Sequence, residues 1–268
     1  MRTIVHLSDL HFGRVDERII APLVERITAI HPDLVAVSGD LTQRARRRQF
    51  QQASAFLGRL PFAKVVVPGN HDVPLFNVAA RLFDPFGGYR RWIDPDLEPA
   101  YIDDEVAMIG LNSARGLITG GRGRLNMEQI DAAAERLRPL PAAAIKVIVT
   151  HHPFDVPEGF PAGHLVGRAS IAMQRFAEAG ADLFLAGHLH VSHVGHTAYR
   201  YSIAGHSALI VQAGTISTRG RGELNTFNVL RIGRPEMAIE RYSWETGSPA
   251  FDRSFAGTFR HTTEGWTA

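Results

Sequence analysis

Short apolar, β-branched runs alternate with helical patterns over the first two thirds of the chain. Residues 3–7, 34–37, 64–67, 107–111, 146–149 and 182–185 have the length and composition of strands buried on both faces. Between the first two, Val15, Ile19, Ile20, Leu23, Val24, Ile27 and Ile30 recur every three or four residues, which predicts an amphipathic helix. The same reading predicts helices over 47–59, 127–137 and 170–179. Strand, helix, strand alternation implies βαβ units and a sheet covered by helices.

The last third changes character. From about residue 201 the runs 207–212, 224–232 and 236–244 read as consecutive strands joined by Gly-rich or Gly-Arg-Pro turns, with no helix between them. Antiparallel strands closing a second sheet are expected, giving an α/β fold of two sheets in a sandwich flanked by helices. A single domain over residues 1–268 is expected, with 246–268 as a C-terminal tail or edge segment. Residues 73–105 hold no predicted strand, and Phe76, Phe83, Phe86, Tyr89 and Trp92 recur there at roughly helical spacing. A helix packed on the core is preferred to a lid or a homodimer surface.

Composition narrows the class. The chain of 268 residues is 45% apolar and 21% charged, with no low-complexity tract, as soluble globular proteins are. Its 29 basic and 27 acidic side chains leave a formal charge of +2, too little to mark a nucleic-acid binder. Arginines do cluster: Arg44 with Arg46, Arg47 and Arg48; Arg115 with Arg122 and Arg124; Arg219 with Arg221. Such groups can meet phosphate, although a solvated face is the plainer reading for Arg46 to Arg48. No apolar run is long enough to span a membrane, and the opening residues lack the pattern of a signal peptide. A cytoplasmic protein is therefore expected. Zero cysteine against 13 histidines removes disulfides, thiolate metal sites and cysteine nucleophiles together.

The chemistry gathers at strand ends. The first strand is followed by Ser8-Asp9-Leu10-His11, the second by Gly39-Asp40, the third by Gly69-Asn70-His71-Asp72, and later ones by His151-His152 and Gly187-His188-Leu189-His190. In α/β sheets, loops at the carboxyl ends of strands converge on one crevice, so these separate stretches can meet. Carboxylates, an amide oxygen and imidazoles suit Mn, Fe, Co, Ni or Zn better than Mg or Ca. Alternate spacing in Asp9-x-His11 and His188-x-His190 puts both side chains on one face of extended chain. Glycines before Asp40, Asn70 and His188 permit turns and close backbone approach. Each signal alone is common; their ordered conjunction is not.

The ordered set Asp9-x-His11, Gly39-Asp40, Gly69-Asn70-His71-Asp72, His151 and Gly187-His188-x-His190 resembles the calcineurin-like metallophosphoesterase superfamily. The resemblance implies two metal ions, Mn, Fe or Zn, one held by Asp9, His11, Asp40 and His190, the other by Asp40, Asn70, His151 and His188. Asp40 would bridge them. Two cations about 3.5–4 Å apart can acidify a bridging water and stabilise charge on phosphoryl oxygens, so direct hydroxide attack needs no phosphoenzyme. His71 would protonate the leaving oxygen or stabilise developing charge, with Asp72 orienting its imidazole. Of the histidine pair, the family pattern selects His151 as ligand and leaves His152 facing away or lining the rim. His193, His196 and His206 are read as structural.

Within the superfamily, the opening Ser-Asp-Leu-His-Phe-Gly and the Gly-Asn-His-Asp-Val stretch look most like class III cyclic nucleotide phosphodiesterases and bacterial glycerophosphodiesterases. A small phosphodiester substrate is the first expectation, a nuclease or nucleotide pyrophosphatase the alternative, and a non-catalytic metal-binding scaffold the third. Asn70, His71, Arg115, Arg122 and Arg219 are candidate substrate contacts, with Arg221 beside the last of them.

Overall fold

A computed structural model describes residues 1–116, 121–201, 203 and 205–267. The first βα units are β1 (Arg2–Leu7), α1 (Glu17–Ile30), β2 (Leu34–Ser38), α2 (Arg47–Gly58) and β3 (Ala63–Val67). Two short helices follow, α3 (Val78–Phe83) and α4 (Gly87–Trp92), then β4 (Ala100–Ile102), β5 (Val106–Gly110), α5 (Met127–Leu137), β6 (Ile145–Val149), α6 (Ala169–Glu178) and β7 (Leu183–Ala186). The chain ends in β8 (His193–His196), β9 (Leu209–Gln212), β10 (Asn225–Ile232), β11 (Glu236–Trp244), β12 (Asp252–Thr262) and β13 (Gly265–Thr267).

Two mixed sheets face each other, in the orders β13-β12-β11-β10-β1-β2-β3 and β4-β5-β6-β7-β9-β8. Ile4, Val67, Val147, Leu185, Leu230 and Ile239 fill the space between them. The outer faces are covered by α1, α2 and α4 through Ile19, Leu23, Phe50, Phe56 and Tyr89, and by α5 and α6 through Ile130, Leu137, Met173 and Phe176. The expected sandwich flanked by helices is the fold found.

The route to it differs from the sequence reading at three places. The C-terminal antiparallel strands extend the first sheet, with β10 pairing β1 antiparallel (Val5 opposite Val229). The second sheet is instead a parallel set from the middle of the chain, β5, β6, β7 and β9, with antiparallel edges β4 and β8. The tail expected from residue 246 is largely strand: β12 and β13 form the outermost hairpin, and Trp266 is buried with its Nε1 donating to Asp182 Oδ1 at 2.9 Å. The aromatic stretch divides. Phe86 and Tyr89 are buried, with Tyr89 Oη donating to the Val66 carbonyl at 2.8 Å, whereas Phe76 and Phe83 are 75% and 86% exposed. No helix among the described residues is long and apolar enough to cross a membrane.

Candidate metal centre

The loops after β2, β3 and β7 line one cavity of about 450 Å³, and the carboxyl ends of β1 and β6 lie buried behind it. Asp9 and His11 follow β1, Asp40 follows β2, a 3₁₀ turn of Asn70–Asp72 follows β3, His151 follows β6, and His188 and His190 follow β7. Asp9, His11, Asp40, His188 and His190 all have positive φ, between 46° and 72°. This left-handed backbone costs L-residues roughly 1–2 kcal/mol each, and it persists where surrounding structure enforces it.

The glycines work as close-approach points. Gly39 has φ +89°, and a Cβ there would also meet His151 Nδ1 at 2.7 Å. A Cβ on Gly69 would stand 2.1 Å from Asp40 Oδ1, and one on Gly187 would overlap the Ser8 hydroxyl. Only backbone without side chains lets the two sheets' loops touch here.

One atom from each of Asp9, His11, Asp40 and His190 lies within 4.8 Å of the others. His190 Nε2 is 3.1 Å from Asp9 Oδ1, and His11 Nε2 is 3.5 Å from both Asp9 Oδ1 and Asp40 Oδ2. The same Asp40 Oδ2 is 3.5 Å from His151 Nε2, which in turn is 3.1 Å from Asn70 Oδ1. Asp40 therefore stands between two groups of ligand-type atoms.

The donor set fits a cation at each group. His151 donates Nδ1–H to the Ser38 carbonyl at 2.8 Å, so its Nε2 lone pair faces Asn70 Oδ1 and Asp40 Oδ2. His190 likewise donates Nδ1–H to the Arg219 carbonyl at 2.9 Å, turning its Nε2 toward Asp9 and His11 Nε2, the latter at 3.1 Å. Acceptors facing acceptors at such distances repel unless a cation sits among them. Asp9 Oδ1 is buried with no hydrogen-bond partner, while its Oδ2 accepts from the Ser8 hydroxyl and the His188 N–H. Burial, together with the charges of Asp9 and Asp72, pushes the Asp40 carboxyl well above the usual range. Burial also lowers His11 to about 4, which leaves its imidazole neutral and able to ligate. Burial opposes protonation of His190 too, but the Asp9 carboxylate outweighs it and raises that pKa. Metal ions would occupy the place a proton otherwise takes.

His71 sits beside these groups with its ring centroid 4.8 Å from that of His11. Its Nδ1 donates to the Gln43 carbonyl at 2.9 Å, and its Nε2 accepts from Arg219 Nη1 at 2.9 Å. Burial, with His11, Arg219 and Arg44 nearby, lowers its pKa to about 3. The expectation that Asp72 orients His71 is corrected. Asp72 accepts instead from the backbone N–H groups of Leu41, Thr42 and Gly69 and from the Thr42 hydroxyl, at 2.8–3.1 Å. Consecutive residues of a 3₁₀ turn project about 120° apart, which separates these two neighbours. Burial pushes the Asp72 carboxyl up to about 6, although all four partners are donors that favour the carboxylate.

His152 is neither turned away nor at the rim but buried, with its ring centroid 4.6 Å from that of His188. A ligand-type atom from each of His151, His152 and His188 falls within 4.8 Å of the others. Both His152 nitrogens are engaged, however: Nδ1 accepts from the Ser113 hydroxyl at 2.9 Å and Nε2 donates to the Gly121 carbonyl at 2.8 Å. It ties down the loop after β5.

Of the candidate arginines, Arg115 and Arg219 line the cavity, as do Arg44, Arg81 and Arg221. Arg122 does not; it is exposed outside the cavity, so the expected substrate contact there is withdrawn. His164 was not singled out in the sequence. It sits on a short turn between β6 and α6, lines the cavity and places Nδ1 3.2 Å from His188 Nε2. His196 and His206 line a separate hollow with Tyr199 and Trp266.

Solved structures share this fold at low identity. A dimetal phosphatase from Danio rerio is 12% identical, covers 97% of this chain and 99% of its own, and superposes with a TM-score of 0.67. The purple acid phosphatase PPD1 from yellow lupin seeds is 11% identical, covering 96% of this chain and 53% of its own, with a TM-score of 0.70. A vacuolar protein sorting 29 from Cryptosporidium parvum is 12% identical with a TM-score of 0.52, covering 97% and 98%. At such identities the fold alone is shared. Among curated proteins, the glycerophosphodiester phosphodiesterase GpdQ of Enterobacter lignolyticus is 31% identical over 80 residues. That match spans 26% of this chain and 29% of the enzyme. With the model of the calcineurin-like phosphoesterases matching residues 2–192, the chain that carries this strand-end cluster belongs to that family.

Proposed function

We propose that the protein hydrolyses phosphodiesters at a dinuclear centre, with Asp9, His11, Asp40 and His190 holding one ion and Asp40, Asn70, His151 and His188 the other. The observation that carries this reading is Asp40 Oδ2, 3.5 Å from both His11 Nε2 and His151 Nε2, a single carboxylate oxygen shared by two ligand groups. Borderline ions such as Mn, Fe or Zn suit this mixture of imidazole and oxygen. Bound there, the pair supplies Lewis acidity and a water acidified toward neutral pH.

The chain's own side chains do the rest. Arg219, which donates to His71 Nε2, and Arg44, which donates to the Gln43 carbonyl on the other side of the same ring, are placed to hold the non-bridging oxygens of a phosphodiester. The Gln43 carbonyl fixes the proton of His71 on Nδ1 and leaves Nε2 facing the cavity. An anionic phosphate beside Nε2 offsets the depressing charge of Arg219, so that this atom can carry a proton and deliver it to the leaving oxygen. The partial likeness to a glycerophosphodiester phosphodiesterase supports diesters over monoesters.

The test is Mn-loaded protein with bis(p-nitrophenyl) phosphate, metal content being measured on the same sample. Two bound ions with no hydrolysis would refute the reading. His71→Ala should lose turnover and keep its metals; equal loss of both would contradict the role given to His71. The exposed run of Leu75, Phe76, Val78, Leu82 and Phe83 supports a homodimer over that face. Sedimentation as a monomer across micromolar to millimolar protein would exclude it.

A further inference from the structure

The cavity holds more positive charge than a simple diester can match. Five guanidinium groups line it, from Arg44, Arg81, Arg115, Arg219 and Arg221, against the carboxylates of Asp40 and Asp9, which act on Arg219, and of Glu98, which acts on Arg115. Bound cations would add to the excess. Arg44 and Arg219 flank His71, where the one singly charged phosphodiester of the proposed reaction would lie. Arg115 spends Nη1 on the carbonyls of Asn112 and Ala114.

Arg221 is different. It lies in the exposed loop between β9 and β10, lines the cavity, and has no hydrogen-bond acceptor or carboxylate among the described residues. Its guanidinium carbon stands 6.0 Å from the ring centroid of Phe160, at the outer reach of a cation–π contact that biases the planar head toward the cavity wall. It is close enough to His164 and to Arg219 that its charge adds to the effect of burial in depressing both. A planar cation resting on an aromatic ring at the cavity wall, with its donor fork unused, is suited to a second phosphate.

We propose that the diester taken by this site carries a further phosphate on one of its alcohol arms, and that Arg221, seated on Phe160 beside His164, binds it. This rests on the phosphodiesterase reading and narrows it to substrates of higher charge. Two chromogenic esters separate the cases: thymidine 5′-(p-nitrophenyl phosphate), and the same compound phosphorylated at the 3′-oxygen. With metal-loaded protein at low salt, the 3′-phosphate should lower KM roughly five- to tenfold, with kcat little changed and the gain shrinking as salt is added. Arg221→Gln should bring the ratio of the two KM values to about one, whereas Arg122→Gln, outside the cavity, should preserve it. Calorimetry gives a readout independent of turnover: thymidine 3′,5′-bisphosphate should bind more tightly than thymidine 5′-monophosphate by a similar factor, lost in Arg221→Gln. Equal KM values in the unaltered protein, a ratio that survives Arg221→Gln, or one that falls equally in Arg122→Gln would overturn the proposal. No hydrolysis of either ester would instead sink the phosphodiesterase reading, with the calorimetric pair still deciding the role of Arg221.

Discussion

Gly69→Ala isolates the contact that positions Asp40, the carboxylate standing between the two ligand groups. The backbone at Gly69 has φ −107°, which alanine adopts without strain, so the substitution acts through its methyl group alone. That Cβ would lie 2.1 Å from Asp40 Oδ1 and 2.3 Å from Asp40 N. Rotating the Asp40 side chain relieves the first overlap but not the second. Non-bonded heavy atoms settle at roughly 3.5 Å, so the loops after β2 and β3 must separate by about 1 Å. The parallel pairing of β2 with β3 runs over five residues from Leu34 opposite Ala63 to Ser38 opposite Val67 and should hold. Overpacking of this kind costs about 1–3 kcal/mol, a fall in Tm of roughly 2–12 °C at this chain length. Misplacement by about 1 Å at a reacting centre costs on the order of 100-fold in rate. The expected result is a folded protein with reduced metal content and kcat/KM lowered about 100-fold, checked by circular dichroism, elemental analysis and aryl phosphodiester turnover. Gly58→Ala, where a Cβ meets nothing within 4 Å, is the control. Two retained ions and turnover within a few-fold of the unaltered protein would refute the close-approach argument.

Asp72→Ala strands three backbone N–H groups, each costing at least about 1 kcal/mol, and should lower stability by about 3 kcal/mol and Tm by roughly 6–12 °C. An unchanged Tm with activity lost as in His71→Ala would restore the orienting role for Asp72. His152→Phe should keep two metal ions while raising KM, because it frees the loop held at Ser113 and Gly121; loss of one ion by elemental analysis would make His152 a ligand. Trp266→Ala should cost about 3–5 kcal/mol, read by denaturant melts, since that ring is buried at the sheet edge; no change would mean the C-terminal hairpin is the loose tail that its sequence suggested. Chelation should lower Tm of the metal-loaded protein, because ions at 100 times their Kd contribute about 2.7 kcal/mol per site; a Tm indifferent to chelator would place no metal in the cluster.

What the sequence made legible follows from how locally each feature is encoded. β1, β2, β5 and β6 read clearly because both faces are buried, and Val35, Val37, Val147 and Val149 leave continuous apolar runs. The edge strands β4 and β8 are three and four residues long, and β8 carries His193 and His196, so neither run nor alternation marks it. Nothing local tells β10 that its partner is β1, more than 200 residues earlier; that pairing is set by the packing of the whole sheet. The same division holds at the site. Metal-type residues at strand ends stand out, since the strand locates them and their chemistry is unusual. His164 and Ser113 reach the cluster from loops with no periodic signal, and Arg221 is distinguished only by what it lacks in three dimensions.

The backbone itself argues that the cluster is functional rather than incidental. Among the described residues, eight non-glycine positions have positive φ, and five of them are Asp9, His11, Asp40, His188 and His190. Glycine at any of these would relieve the strain, and the chain does use glycine next to them at Gly39 and Gly187, where overlap rather than ligation is at stake. Ala45, Arg168 and His31 share this backbone elsewhere, but strain concentrated on five metal-type residues of one cluster is what a folded state stabilised by bound ions would leave in a sequence. Asp40 presses the same conclusion, since burial and the nearby charges of Asp9 and Asp72 disfavour its carboxylate in the metal-free fold. Cations bound in this cluster would offset both the backbone strain and the charge repulsion at Asp40.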